Sequence, residues 1–422
     1  MPLPQRLQEI RDGFERPFWV ANISEIFERL SYYGAFSSLG IYLKETLNFS
    51  TEQTGTLTGI FGGMVWFLAI FGGAVADKLG FRRALSLAYL ILSIAYFLIG
   101  SIGASWLAPV RTSVPLGLFV GCILILPALG VSLVKPSVVG TTARASKENV
   151  RSIGYSIYYT LVNIGSASGN YIASWAHRHL GVENVFRVAA LSVLAMFFGV
   201  LLFFREPKRT TDEPRPSISE TLRNFLTVLA NMRFMLFLLI FTGYWIVFWQ
   251  QYTSLPGYIH SYISRDADVE FILITDPLVV ISLTLVVNYL IRKLPALHAV
   301  ILGTLISSLA WLIVAFRPTV TGAILAIFVL ALGEITQQPR YYEYISRLAP
   351  AGQQGTYMGF AFLPIGIGSL FGGWFGGKVM HHFGELQNHP ERGWYAITAV
   401  GVLTTVLLWI YDRVVKPQTQ KA

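Results

Sequence analysis

The chain of 422 residues is 54% hydrophobic and only 13% charged, with a mean hydropathy of +0.55, a balance outside that of soluble globular domains. Its formal charge of +9 would suit nucleic acid if the basic residues formed one patch. They sit instead in alternate connections between apolar stretches, so no nucleic-acid partner is expected. The single cysteine, Cys122, excludes a disulfide framework and a cysteine-rich metal centre, and is expected to serve helix packing.

Stretches long enough to cross about 30 Å of hydrocarbon recur along the chain. Twelve are read, at approximately 17–43, 52–76, 83–104, 114–139, 152–176, 186–204, 234–261, 269–291, 297–316, 319–346, 355–380 and 394–413. Strand-like alternation is weak, so helices rather than a β-barrel satisfy the backbone in lipid. The predicted fold is an all-α membrane protein. The first span follows a polar segment and is too long for a signal-peptide core, so it is expected to stay in the membrane.

The longest polar connection carries REPKRTTDEPRPS and reads as a solvated linker. It divides the chain into a first half (1–204), a linker (205–233) and a second half (234–422), six spans on each side. With a cytoplasmic N-terminus, 21 of the 32 Lys and Arg fall on the cytoplasmic side and eight on the other. The positive-inside rule therefore places both termini in the cytoplasm of a multi-pass inner (plasma) membrane protein.

Charges within the spans carry the functional reading. Glu25, Glu28 and Arg29 share one face of the first span with Tyr32 and Tyr33, as the i, i+3, i+4 spacing requires. Lys135 lies in the fourth span, Asp276 opens the eighth, and Glu334, Arg340 and Glu343 follow in the tenth. At about 3 kcal/mol per unpaired charge on insertion scales, Glu25, Glu28, Arg29, Lys135 and Glu334 would together cost roughly 15 kcal/mol in lipid. They must face one another or water. Two cations with clustered carboxylates suit a small anionic or zwitterionic solute, and sequestered carboxylates suit proton carriage. Asp276 reads equally as a helix cap and as a member of this group.

Two six-helix halves with a linker resemble the major facilitator superfamily, in which substrate sits between the halves. Gly73-x3-Asp77-Lys78-Leu79-Gly80-Phe81-Arg82-Arg83 resembles its loop signature GxxxDxxGxRR, so Asp77, Arg82 and Arg83 are expected to form a conformational latch. Arg340 and Glu343 are expected either to gate the same side or to pair within their helix.

A narrower resemblance follows from four further motifs. Glu25-x-x-Glu28-Arg29 with Ser31-Tyr32-Tyr33-Gly34 is similar to the ExxERxxYYG of proton-coupled oligopeptide transporters (the POT family). Tyr158-Tyr159-Thr160-Leu161-Val162-Asn163-Ile164-Gly165-Ser166 resembles its FYxxINxGS, and Lys135-Pro136-Ser137 its KPN. Gly333-Glu334, Leu348-Ala349-Pro350 and Met358-Gly359 resemble its GE, LAP and MG series.

The resemblance implies proton symport of di- or tripeptides by alternating access, as a monomer without a cofactor. It implies Arg29 and Lys135 on the substrate carboxylate and Glu334 on its amino group. Proton exchange would fall to Glu25 and Glu28, with Glu334 and Asp276 also taking part. Tyr32, Tyr33, Asn163 and Gln250 are expected to line the pocket. Three departures bear on cargo: Phe36 and Trp249 stand where an outer charge pair is usual, Asp276-Pro277 replaces Asn-Pro, and Ala361 occupies the place of a Trp. A non-peptide organic anion, amino acid or drug-like solute is therefore the alternative cargo. Gly372-x4-Gly377-Lys378 lacks the Ser or Thr of a P-loop, and His381, His382 and Glu385 converge on no catalytic group, so neither an ATPase nor an enzyme is expected.

Overall fold

Twelve long helices follow one another in the computed structural model, which describes residues 12–207, 226–350 and 354–414. They are α1 (Arg16–Ile41), α2 (Thr51–Leu79), α3 (Phe81–Ile99), α4 (Leu116–Arg144), α5 (Arg151–Leu180) and α6 (Val182–Phe203) in the first half. The second half has α7 (Met232–Thr253), α8 (Val269–Ile291), α9 (Ala296–Phe316), α10 (Val320–Leu348), α11 (Tyr357–Leu386) and α12 (Glu391–Val414). Each falls within several residues of a predicted span. Most of the proposed linker lies outside the described residues.

Among the described residues, nine helices are long and apolar enough to cross a membrane by composition alone. The other three are α1, with Glu25, Glu28 and Arg29 in its interior, the polar α5 and the glycine- and threonine-rich α2. An even number of passes brings both ends of the chain to one end of the bundle, called here the terminal end; the opposite one is the far end.

Local sequence explains the joints. Helices α2 and α3 are joined by Gly80 alone, at φ 82°, a left-handed turn that favours glycine and accounts for the second Gly of the loop signature. Helix α8 breaks at Ile274 between Val269–Leu273 and Thr275–Ile291. Pro277 is the cause, since it offers no N–H to the Leu273 carbonyl four residues back and its ring crowds that group. The break sets Asp276 at the kink.

At the far end, α2 and α11 approach so closely that a Cβ added at Gly55 would lie 2.5 Å from the Gly373 carbonyl oxygen and 2.8 Å from Gly377 Cα. Small residues let the two backbones touch, which is how helices gain packing energy where lipid supplies no hydrophobic drive. This contact joins the two halves. One expectation fails: Cys122 is exposed on the outside of α4 rather than packed in the bundle, because its neighbours Ile123 and Leu124 occupy the inward face.

Candidate functional site

The charges of α1 sit in the interior as the helical spacing requires. Arg29 is 1% exposed and Glu25 and Glu28 are fully buried. The Arg29 guanidinium donates through Nε to Glu28 and lies 3.4 Å from Glu25. Its carbon also stands 5.2 Å from the centre of the Tyr32 ring. The Tyr158 hydroxyl of α5 reaches Glu25 at 3.5 Å. Among the described residues, Glu25 Oε2, Glu28 Oε1 and Arg29 Nη2 are buried without a hydrogen-bond partner.

Lys135 joins this group from α4, near enough to Glu25, Glu28 and Arg29 to feel their charges. Its ammonium lies over the ring of Trp66 on α2, 3.7 Å from the centroid, within cation–π range. Two carboxylates and two cations thus share one pocket of the first half, formally neutral as a set.

The second half contributes carboxyls that, among the described residues, form no ion pair with a basic group. Asp276 and Glu334 lie near each other across α8 and α10, and the Gln251 amide stands 3.4 Å from Asp276. Asp276 caps no helix. The cap reading therefore falls, and the Asp276 side chain is buried at 7% exposure beside Glu334. Tyr33 lies between the two groups, near Arg29 and Glu28 on one side and Glu334 and Asp276 on the other. Asn163 donates to the Tyr159 carbonyl one turn back on α5. The Tyr159 ring is 41% exposed although it lies near Glu334, Asp276 and Tyr33. A side chain that points into the bundle and still meets solvent marks an open central space.

Above that space, towards the far end, aromatic rings close the passage. Phe36 stacks on Tyr252 at 4.7 Å and meets Phe61 and Trp249 at 5.2 and 5.4 Å. Beyond them polar groups tie the halves together: Ser38 and His177 to Glu270, Ser174 and Arg178 to Asp268, and Lys44 and Thr51 to Glu385. These cross-half polar contacts gather at the far end.

Several predicted positions stand elsewhere. Gln250 does not line the space. Its amide donates to the carbonyls of Ile246 and Gly372 (2.7 and 2.9 Å) and accepts from Ser254 and Thr253 (2.6 and 3.3 Å), so it fastens α7 to α11 with every polar position filled. Arg340 and Glu343 form the intrahelical pair, 2.6 Å apart, and Arg340 also donates to the Ile291 carbonyl at 3.2 Å. Arg82 donates to the Leu201 carbonyl at 2.7 Å while the adjoining backbone N–H groups bind Glu206, which ties α3 to α6 within one half. Arg83 is exposed, and the Asp77 side chain lies outside the described residues. Sequence reasoning missed Trp66, Tyr252 and the Glu270 group. The complementary pairs His177-Arg178 and Asp268/Glu270, at span ends on the same side, were the available signal.

The sequence pattern of the Major Facilitator Superfamily matches residues 22–363 and, again, 266–422. The chain belongs to this superfamily. The multidrug resistance protein MdtH of Klebsiella pneumoniae subsp. pneumoniae is 24% identical over 385 residues, 90% of each chain. That of Proteus mirabilis is 25% identical over 384 residues, again 90% of each. Two crystal structures of POT family transporters superpose on 95% of this chain and 97% of theirs at 17% identity. The one in complex with 5-aminolevulinic acid has a TM-score of 0.76 and the one with a thioalcohol-conjugated peptide 0.78. These likenesses establish the fold; its twelve helices and central space are those of a transporter of this superfamily.

Proposed function

We propose that the protein is a proton-coupled symporter of di- and tripeptides or peptide-like solutes, working by alternating access as a monomer in the inner membrane with both termini in the cytoplasm. The observation that carries this reading is the opposition of two unlike charge groups across one central space. Arg29 and Lys135 on one wall suit a carboxylate, Asp276 and Glu334 on the other suit an amine, and a zwitterion spans both. Tyr33, Tyr159 and Asn163 line the gap between them. Glu25 and Glu28, in contact with or near both cations, are placed to hold the proton. Protonating either makes the group formally cationic and so ready for an anionic partner.

The likeness to POT structures with bound peptide-like ligands supports this cargo. The relatives named for multidrug resistance support a second reading, in which a drug-like cation uses the Asp276 and Glu334 wall alone. Uptake of labelled dipeptide and tripeptide into liposomes under an inward proton gradient separates them. Accumulation that a protonophore abolishes is expected; no peptide uptake by folded protein, with transport of organic cations instead, would overturn the peptide assignment.

A further inference from the structure

Outside the central site, Glu270 is the most enclosed acid whose role the transport reading leaves open. It belongs to the short first segment of α8, before the break at Ile274, and is 2% exposed. Ser38 of α1 donates to its Oε1 at 2.8 Å, and Nδ1 of His177 on α5 lies 2.8 Å from the same oxygen. One carboxylate of the second half is thus held by two helices of the first. A second pair crosses the same end, His260 with Glu45 at 2.7 Å, but Glu45 is 38% exposed, and water weakens such a pair. The Glu270 group is both buried and titratable.

We infer that Glu270, held by Ser38 and His177, is the gate of the far end, and that a proton arriving on His177 from the water on that side closes it. The geometry gives the sign. A neutral imidazole with its proton on Nδ1 donates one bond to Glu270; a second proton, on Nε2, converts the bond into a charged pair. His177 is 27% exposed while Glu270 is buried, so water reaches the base and not the acid. The pair stabilises the closed end while His177 is protonated and loses that contribution as pH rises through the histidine range.

The surrounding charges agree. Asp268 and Glu45 lie near His177, and both favour the imidazolium. Asp268 is itself bound by Arg178 and Ser174, and Glu45 by His260. On α6, Arg187 is turned to Asn184 at 2.8 Å, and Glu183 adds negative charge at the same end. The segments that meet here are also unusual, since single π turns occur at Tyr42–Thr46 after α1, at Ile259–Ile263 beyond α7 and at His381–Leu386 at the end of α11, a local form that recurs at functional sites. This gate stands close to the aromatic closure by Phe36 and Trp249, the positions at which the family resemblance implies an outer charge pair.

The inference rests on the alternating-access reading, and its test is independent of cargo. Spin labels at Ser105→Cys and Arg317→Cys, exposed at the far end on opposite halves, in a Cys122→Ser background, report the opening as an inter-label distance in the reconstituted full chain. Wild type is expected to gain a longer distance as pH rises from about 5.5 to about 8, across the range in which histidine titrates. His177→Gln should lose that response over the same range, and Glu270→Gln should show the long distance throughout. His177→Arg keeps a permanent cation and a donor to Glu270 and should stay short at every pH, which separates a lost gate from a lost fold. An unchanged pH response in His177→Gln, or opening of His177→Arg at high pH, would overturn the gate. Peptide transport failing while the distances follow this pattern would support the gate and remove only the cargo reading.

Discussion

Replacing Glu28 by Gln removes one negative charge from a buried set of four and leaves its volume almost unchanged. In the wild type, Glu25, Glu28, Arg29 and Lys135 sum formally to zero; in Glu28→Gln they sum to plus one, the same as the wild type with one proton bound. The variant is therefore a carrier fixed in its loaded state. Arg29 still faces Glu25 at 3.4 Å, and Gln offers its carbonyl oxygen where Glu28 accepted, so the fold should survive. Substrate exchange across the membrane should persist, because the cations remain free to bind a carboxylate. What disappears is the driving force. One proton moving through 100 mV supplies about 2.3 kcal/mol, and since about 1.4 kcal/mol is tenfold, the wild type should concentrate a zwitterionic dipeptide roughly fiftyfold and the variant about onefold. Both quantities come from one preparation of liposomes: the accumulation ratio under an imposed potential and the rate of counterflow. If Glu28→Gln and Glu25→Gln both still accumulate substrate, the coupling assignment is wrong.

Lys135→Ala should weaken carboxylate-bearing solutes by about 1.5–3 kcal/mol, the usual worth of a hydrogen bond to a charged group, and leave amine-only competitors unchanged in a competition assay. Asp276→Asn should give the reverse pattern by a similar amount; if both variants weaken both classes alike, the two walls do not divide the substrate as argued. Gln250→Leu empties four filled hydrogen-bond positions between and along α7 and α11, so it should lower thermal stability by about 2–4 kcal/mol while the KM of the folded fraction holds steady. Gly55→Val drives a side chain against the Gly373 carbonyl, 2.5 Å from where a Cβ would stand, and should hold the far end open in the spin-label assay; a wild-type distance would mean that the α2–α11 contact does not set closure.

Helices were legible because lipid imposes a length and an apolar composition that few other constraints imitate, and α1 announced its inward face through Glu25, Glu28 and Arg29. Asp276 stayed ambiguous in sequence because a carboxylate near a helix start reads as a cap until its side chain is seen buried beside Glu334. Gln250 misled for the opposite reason: a polar residue beside an expected gate position looks like a ligand, and only the approach of Gly372 and Ser254 shows its amide to be filled. Glu270 and His177 were invisible for a third reason. Both sit where spans meet water, the ordinary place for charged residues, and burial of Glu270 to 2% exposure arises from the closure of two halves far apart in sequence. Local pattern carries no such information.

The two cargo readings differ less in their pockets than in how much of one pocket they use. On the proposed reading, the first-half group is formally neutral with its carboxylates charged, so by itself it would attract an anion only once a proton has entered, which would couple the proton to the carboxylate. The pair Asp276 and Glu334 would need no such companion to attract a cation, because among the described residues it forms no ion pair with a basic group. A zwitterion engages both walls and therefore draws the proton in with it. A cation that engages only the second wall competes with protons for the same carboxyls, and its movement would run opposite to theirs. On the proposed reading the same residues would give symport for a substrate that spans the space and exchange against protons for one that does not, so the direction of proton flow measured with each solute tests which wall it touches.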